Sequence, residues 1–274
     1  MAIISFWSNG KGETGKSSSI AAITTLLAIN HNYKILVLDT KYDDYFYQDC
    51  YWQEDKTIKL INGHGMNIES GVNGLAKAIL SNKTSPEIIT NYTKIVFKNR
   101  LEILTDSNVR IDEYEMHKKL FKEIAKIANK YYDLVFIDIA EDLNENIKNE
   151  LLEVSDIIVA SLPQKLRNID EYLKAKSENL IFRGKAVIPI LGRYDKNSKY
   201  TAKNVARYIK EKRGVYYIPY NTLFFEACNE GKVADYFIKF RKINSKDKNA
   251  VFIDGIEQTI EHIMTRLKEL QMRM

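Results

Sequence analysis

Apolar runs of strand length alternate along this chain with longer segments of helical period, the pattern of a doubly wound α/β sheet, mainly parallel, with helices on both faces. The strand runs fall at residues 2–7, 34–39, 101–105, 133–139, 156–161, 186–191 and 215–219. Helical spacing fills 17–29, 71–80, 112–130, 145–153, 168–179, 201–212 and 252–273. The last of these places Ile253, Ile256, Ile260, Ile263, Leu267 and Leu270 on one stripe. Its other face mixes Glu257, Glu261 and Glu269 with Arg266, Lys268 and Arg273, so the stripe is expected to pack on the sheet and not on a membrane. With four prolines, 12 glycines, no repeat and no low-complexity linker, one domain is expected over residues 1–274.

Bulk composition narrows the picture only a little. No run approaches the eighteen or so apolar residues of a membrane span, and the opening Met-Ala-Ile-Ile-Ser lacks a basic leader, so a cytoplasmic protein is expected. Cys50 and Cys228 are too few for a disulfide framework and read as ordinary reduced thiols. A formal charge of +5, from 41 basic and 36 acidic side chains, admits nucleic acid or acidic lipid as a partner without requiring either.

The chemistry is concentrated just after the first strand run. Gly10-Lys11-Gly12-Glu13-Thr14-Gly15-Lys16-Ser17 is a phosphate-binding loop, followed by Ser18 at the start of an apolar helical segment. In such a loop, backbone N–H groups curl around phosphates, Lys16 reaches the terminal phosphate oxygens, and the Ser17 hydroxyl ligates Mg²⁺. A carboxylate should assist the metal from the C-terminal end of a neighbouring strand. Two runs end that way, at Asp39 and at Asp138.

These motifs together resemble the ParA/MinD family of ATPases, whose phosphate loop carries a second lysine, here Lys11. The resemblance extends to Ile190-Leu191-Gly192-Arg193-Tyr194-Asp195 and to Tyr217-Ile218-Pro219-Tyr220 with Phe225-Glu226-Ala227 and Asn229-Glu230-Gly231-Lys232 after it. It implies ATP and ADP as ligands with Mg²⁺, and Arg193, Pro219 and Tyr220 near the base. It also implies a homodimer formed with ATP, in which Lys11 reaches the partner's phosphates, and a second protein that stimulates or adapts the switch.

Three departures bear on hydrolysis. The family usually continues its second strand as Asp-x-Asp, whereas this chain reads Asp39-Thr40-Lys41, and a lysine cannot activate water. Asp43 or Asp44 is the candidate substitute. Glu13 replaces a glycine common in the family, and Ile139-Ala140-Glu141 lacks its usual proline. Slow or absent turnover is therefore a live expectation. Aromatic residues crowd the same segment, at Tyr42, Tyr45, Phe46, Tyr47, Tyr51 and Trp52, either as a protein contact surface or as a cover for the sheet edge.

Basic clusters supply candidate contacts to nonspecific DNA. Lys203, Arg207 and Lys210 recur at helical spacing, and Lys232, Lys239, Arg241, Lys242, Lys246 and Lys248 form a second stretch. The leading expectation is a ParA-type ATPase for partition or intracellular positioning, associated with the nucleoid if DNA is bound. The alternative is an ATP-binding, weakly hydrolysing assembly scaffold resembling the TadZ/CpaE group, which would tolerate Lys41 but usually carries an additional N-terminal domain.

Overall fold

A computed structural model describes residues 1–10, 14–52, 71–81, 85–106, 109–242, 244, 247 and 249–272. Its centre is an eight-stranded sheet in the order β3-β4-β2-β5-β1-β6-β7-β8. The strands are β1 (Ala2–Trp7), β2 (Ile35–Asp39), β3 (Lys94–Phe97), β4 (Leu101–Leu104), β5 (Leu134–Asp138), β6 (Ile157–Leu162), β7 (Ala186–Tyr194) and β8 (Tyr216–Pro219). All neighbours are parallel except β3 and β4. The mainly parallel doubly wound sheet expected from the pattern is the one found.

The continuous apolar runs follow from burial on both faces. Along β2, Ile35 and Val37 join one core layer while Leu36 and Leu38 join the other, and β5 divides Leu134 and Phe136 from Val135 and Ile137 in the same way. Strand β3 escapes the sequence pattern because it is an antiparallel edge strand with Lys94 and Ile95 exposed. It offers no buried run to detect.

Helix α1 (Lys16–Asn30) is apolar almost all round because the sheet lies on one side of it and later helices on the other. Among these is the long C-terminal helix, Ala250–Gln271, which buries Ile253, Ile256, Ile260, Ile263 and Leu267 against β8 and α1. The amphipathic stripe thus packs inward, and Arg273 lies outside the described residues. Among the described residues no helix is long and apolar enough to cross a membrane.

Two expected helices are shorter than their patterns. The segment 112–130 divides into Ile111–His117, a tighter 3₁₀ turn at Lys118–Leu120, and Phe121–Asn129. Buried Tyr114, His117, Phe121, Ile124 and Ala128 keep three-and-four spacing across the break, so periodicity reads it as one helix. The segment 201–212 is helical only over Ala202–Tyr208, because Lys210 turns to a left-handed φ of 55°. Between β2 and β3 the expected helix over 71–80 is found as α3 (Gly71–Leu80), and the chain adds α2 (Phe46–Tyr51).

Parallel order decides where chemistry collects. Strand β1 sits between β5 and β6, with β2 beyond β5, so the turn leaving β1 opens beside the ends of β2 and β5. In the register, Asp39 stands opposite Asp138, and Phe6 lies on the other side of Asp138.

Candidate functional site

The turn after β1 is held down from several directions. The Asn9 side chain donates to the Asn168 carbonyl at 2.7 Å, and the Ser161 hydroxyl donates to the Thr14 carbonyl at 3.2 Å. A Cβ on Gly192 would stand 1.9 Å from that same carbonyl oxygen, so only glycine lets the loop lie directly on β7. Gly15 takes the left-handed φ of 64° that turns the chain into α1. Lys11, Gly12 and Glu13 lie outside the described residues. Gly10, Thr14, Gly15, Lys16, Ser17 and Ser18 are in place around the turn, and those from Thr14 onward line a cavity of about 380 Å³.

Lys16 starts α1 and is almost fully buried. Its ammonium lies 2.7 Å from Glu141 Oε1 and 3.2 Å from Asp138 Oδ1, and it donates to the Ile139 carbonyl. Glu141 is itself fixed by the Ser8 hydroxyl, which donates to it at 2.6 Å. Although burial opposes its charge, Lys16 holds the Glu141 carboxyl below the usual range. Any phosphate group that engages Lys16 must therefore compete with Glu141.

Beside this pair sits a second ammonium. Lys41 Nζ donates to Ser17 Oγ at 2.6 Å and lies 3.0 Å from Asp138 Oδ2, 3.0 Å from Asp44 Oδ2 and 4.0 Å from Asp39 Oδ1. The Tyr47 hydroxyl completes the cluster by donating to Asp138 Oδ2 at 3.0 Å. Burial works against the Lys41 charge, yet Asp138, Asp39 and Asp44 hold its ammonium above the ordinary lysine range. Asp138 is buried too, and Lys41 and Lys16 nonetheless hold it well below the usual carboxylate range. Asp39 moves the other way, raised by burial and, in part, by its neighbour Asp138.

Ser17, Asp39 and Asp138, the residues expected to hold Mg²⁺, do converge here, and oxygen donors are what that ion takes. Yet Ser17 Oγ and Asp138 Oδ2 are already engaged by Lys41 Nζ, while Asp138 Oδ1 accepts no hydrogen bond but lies 3.2 Å from the Lys16 ammonium. With Lys41 in this position the donor set does not fit a magnesium ion. Asp44 is drawn into the same ion pair and also accepts from the Phe46 N–H at 2.8 Å, which starts α2. Asp43 is exposed, at a left-handed φ of 49°.

The other end of the cavity is apolar. Pro219 and Tyr220 line it together with Phe224 and Phe225 on the helix Thr222–Asn229, whereas Arg193, which also lines the cavity, packs its stem against Gly15 of the phosphate turn. Asn221 caps that helix by accepting from the Phe224 N–H. Of the crowded aromatics, Tyr47 and Tyr51 are buried and Tyr42, Tyr45, Phe46 and Trp52 half-buried, as a covering layer requires. Cys50 and Cys228, distant in sequence, meet across α2 and this helix, and burial pushes the Cys50 thiol up.

Lys203 and Arg207 are exposed on the short helix Ala202–Tyr208, with Lys210 beyond its end. All three border one shallow surface depression, so they stay together without sharing a helical face. Lys239, Arg241 and Lys242 are exposed as well, whereas Lys246 and Lys248 lie outside the described residues.

The sequence pattern names Glu141 and Tyr47 but does not assign either to the ion-pair cluster, and it does not place the Lys41 ammonium there. Glu141 and Lys41 stand out in the sequence only as residues just past a strand that ends in a candidate carboxylate, and Tyr47 only as one of the crowded aromatics. Among the described residues no group of three or more His, Cys, Asp or Glu side chains forms a metal cluster.

No protein-family model matches the chain, and neither does any curated protein. Solved structures do. A ParA family ATPase from Chlorobium tepidum matches with a TM-score of 0.69 at 17% identity, over 96% of this chain and 98% of its own. The septum site-determining protein MinD from Pyrococcus horikoshii, complexed with Mg-ADP, matches with a TM-score of 0.64 at 17% identity, over 96% and 97%. A plasmid partition protein from Borrelia burgdorferi, bound to AMPPNP, matches with a TM-score of 0.63 at 18% identity, over 97% and 99%. This chain is folded as the ParA and MinD ATPases are.

Proposed function

We propose that the chain is a single-domain ATP-binding switch of ParA type, which forms a homodimer on the nucleotide and positions a cargo inside the cell. The observation that carries this is the cavity itself. Lys16 and the turn Thr14–Ser18 stand at one end and an aromatic wall at the other, the two chemistries a nucleoside triphosphate needs. Lys11 gives the dimer its physical logic. A cation supplied from the second subunit neutralises phosphate charge, so the triphosphate favours the dimer and loss of the terminal phosphate weakens it.

Hydrolysis is slow in this reading. A water-activating carboxylate must be unpaired near the terminal phosphate, and Asp44 is committed to Lys41 and to the start of α2. That observation favours the second reading as well, a nucleotide-dependent scaffold in which dimerisation matters more than turnover. The exposed Lys203, Arg207, Lys239, Arg241 and Lys242 are candidate contacts to DNA phosphates in the first reading and solvated charges in the second.

Sedimentation of purified protein with ATP and Mg²⁺ tests the switch. A dimer that forms only with ATP, and that Lys11→Ala abolishes while the monomer still binds nucleotide, is the expected result. An oligomeric state indifferent to ATP and to Lys11→Ala overturns it. Turnover with and without nonspecific DNA then separates the readings, since stimulation by DNA favours partition and tight binding without turnover favours the scaffold.

A further inference from the structure

The position of Lys41 goes beyond a missing carboxylate. Its Nζ is the point at which the hydroxyl of the phosphate loop and the carboxylates of two adjacent strand ends converge, at 2.6 Å from Ser17 Oγ, 3.0 Å from Asp138 Oδ2 and 4.0 Å from Asp39 Oδ1. Lys41 also lines the same cavity as Lys16, so its charge faces the space in which phosphates would lie. The side chain is not a loosely tethered surface lysine. Its Nζ lies 5.8 Å from the ring centroids of both Phe46 and Tyr47, and its backbone N–H donates to Asp39 Oδ1 at 3.2 Å.

We propose that the Lys41 ammonium is the resident cation of this site, standing on the ligands a divalent ion would otherwise use, so that the protein binds a nucleoside triphosphate without a metal. The inference rests on the nucleotide-binding reading and names the cation that serves it. Charge accounts for the preference. A divalent ion brought to Ser17 and Asp138 would meet a fixed positive charge within hydrogen-bonding distance of the same oxygens, and its gain in attraction to the phosphates would be offset by that repulsion. An ammonium can supply point-charge neutralisation to phosphate oxygens directly, as the lysine of a phosphate loop does.

Two further features agree with a permanent cation. Asp44 turns toward Nζ at 3.0 Å, adding an anion that an empty metal site would not need, and the Tyr47 hydroxyl donates to Asp138 Oδ2 from the far side. Both arrangements fix the orientation of the ammonium. A lysine that merely swung in by chance would have no such support.

The test is equilibrium binding of a fluorescent ATP analogue to the full chain in excess Mg²⁺ and in excess EDTA. Wild-type affinity should differ by no more than about twofold between the two. Lys41→Met, which keeps the stem and removes the charge, should bind at least about tenfold more tightly with Mg²⁺ than with EDTA. Without nucleotide, the melting temperature of Lys41→Met should rise with Mg²⁺ while that of the wild type stays put. Wild-type binding that EDTA abolishes overturns the inference and leaves the nucleotide reading standing. Binding in neither buffer sinks the nucleotide reading itself. If Lys41→Met does not fold even with Mg²⁺, the two wild-type arms still decide between a metal-dependent and a metal-independent site.

Discussion

The two walls of the cavity are built on different physics. Along the ends of β2 and β5, Lys16, Lys41, Asp39, Asp44, Asp138 and Glu141 close on one another, so each charge already has partners before any ligand arrives. Along β8 and the helix Thr222–Asn229, Phe224 packs on Phe252 with ring centroids 4.9 Å apart and on Tyr236 and Phe237 at 5.6 Å, while Tyr220 and Phe225 remain exposed. The charged wall is a coupled network, in which removing one member alters what the others do. The aromatic wall is a packed base carrying separate exposed rings, whose contributions should add.

The largest effect follows from cutting the charged wall at Lys16. Lys16→Ala removes the ammonium of the proposed phosphate loop and also leaves Asp138 and Glu141 with one partner fewer in a buried place. ATP affinity should fall by about 100-fold or more, the loss expected for a charge-assisted contact of about 3 kcal/mol. Folding stability should fall with it, by about 3 kcal/mol, because a buried carboxylate loses a neutralising charge. Equilibrium titration and a denaturant melt read the two losses separately. A variant that binds ATP normally would show that the charged wall is structural and faces no phosphate.

Glu141→Gln probes the same wall in the opposite direction. The carboxylate holds Lys16 at 2.7 Å, in competition with any anion, and a neutral amide would hold it less strongly. ATP affinity should therefore rise, by about tenfold, equivalent to about 1.4 kcal/mol. The acid dependence should change too. Glu141 and Asp138 are both held below the usual carboxylate range in the folded chain, so their ion pairs add stability above that range and lose it as pH falls through their folded values. A midpoint of acid unfolding that is lower for the wild type than for Glu141→Gln would confirm that the Lys16 pair is part of this linkage.

The same contrast explains how much could be seen from the sequence. The parallel strands, the phosphate turn and the two strand-end aspartates were legible because each is a local pattern, an apolar run or a fixed spacing. So was the aromatic wall, in part, because the resemblance of Tyr217-Ile218-Pro219-Tyr220 to a base-binding loop pointed to Pro219 and Tyr220 at the end of β8. The cross-connections were not. Lys41 was legible only as a residue that cannot activate water, since its contact with Ser17 depends on the path of the turn from β2 into α2. The meeting of Lys16 with Glu141 brings together residues far apart in sequence, and no spacing records it. Lys210 shows the reverse, with a regular i, i+4, i+7 pattern that continues past the last helical residue, Tyr208.

The smallest effect is expected on the aromatic wall, and it sharpens the comparison most directly. Phe225 is 46% exposed and lies 6.4 Å from Tyr220, so truncating it removes a contact face for a base without opening the buried cluster behind it. Phe225→Ala should weaken ATP by about threefold to tenfold, in keeping with about 0.5–1.5 kcal/mol for an aromatic contact, and leave the melting temperature nearly unchanged. Combined with Glu141→Gln, its loss should simply add to the gain, because the two side chains share no partner. In contrast, Glu141→Gln combined with Lys16→Ala should lose its benefit altogether, since the residue whose release produced that benefit is gone. Additivity in the second pair, or strong coupling in the first, would erase the distinction between the walls.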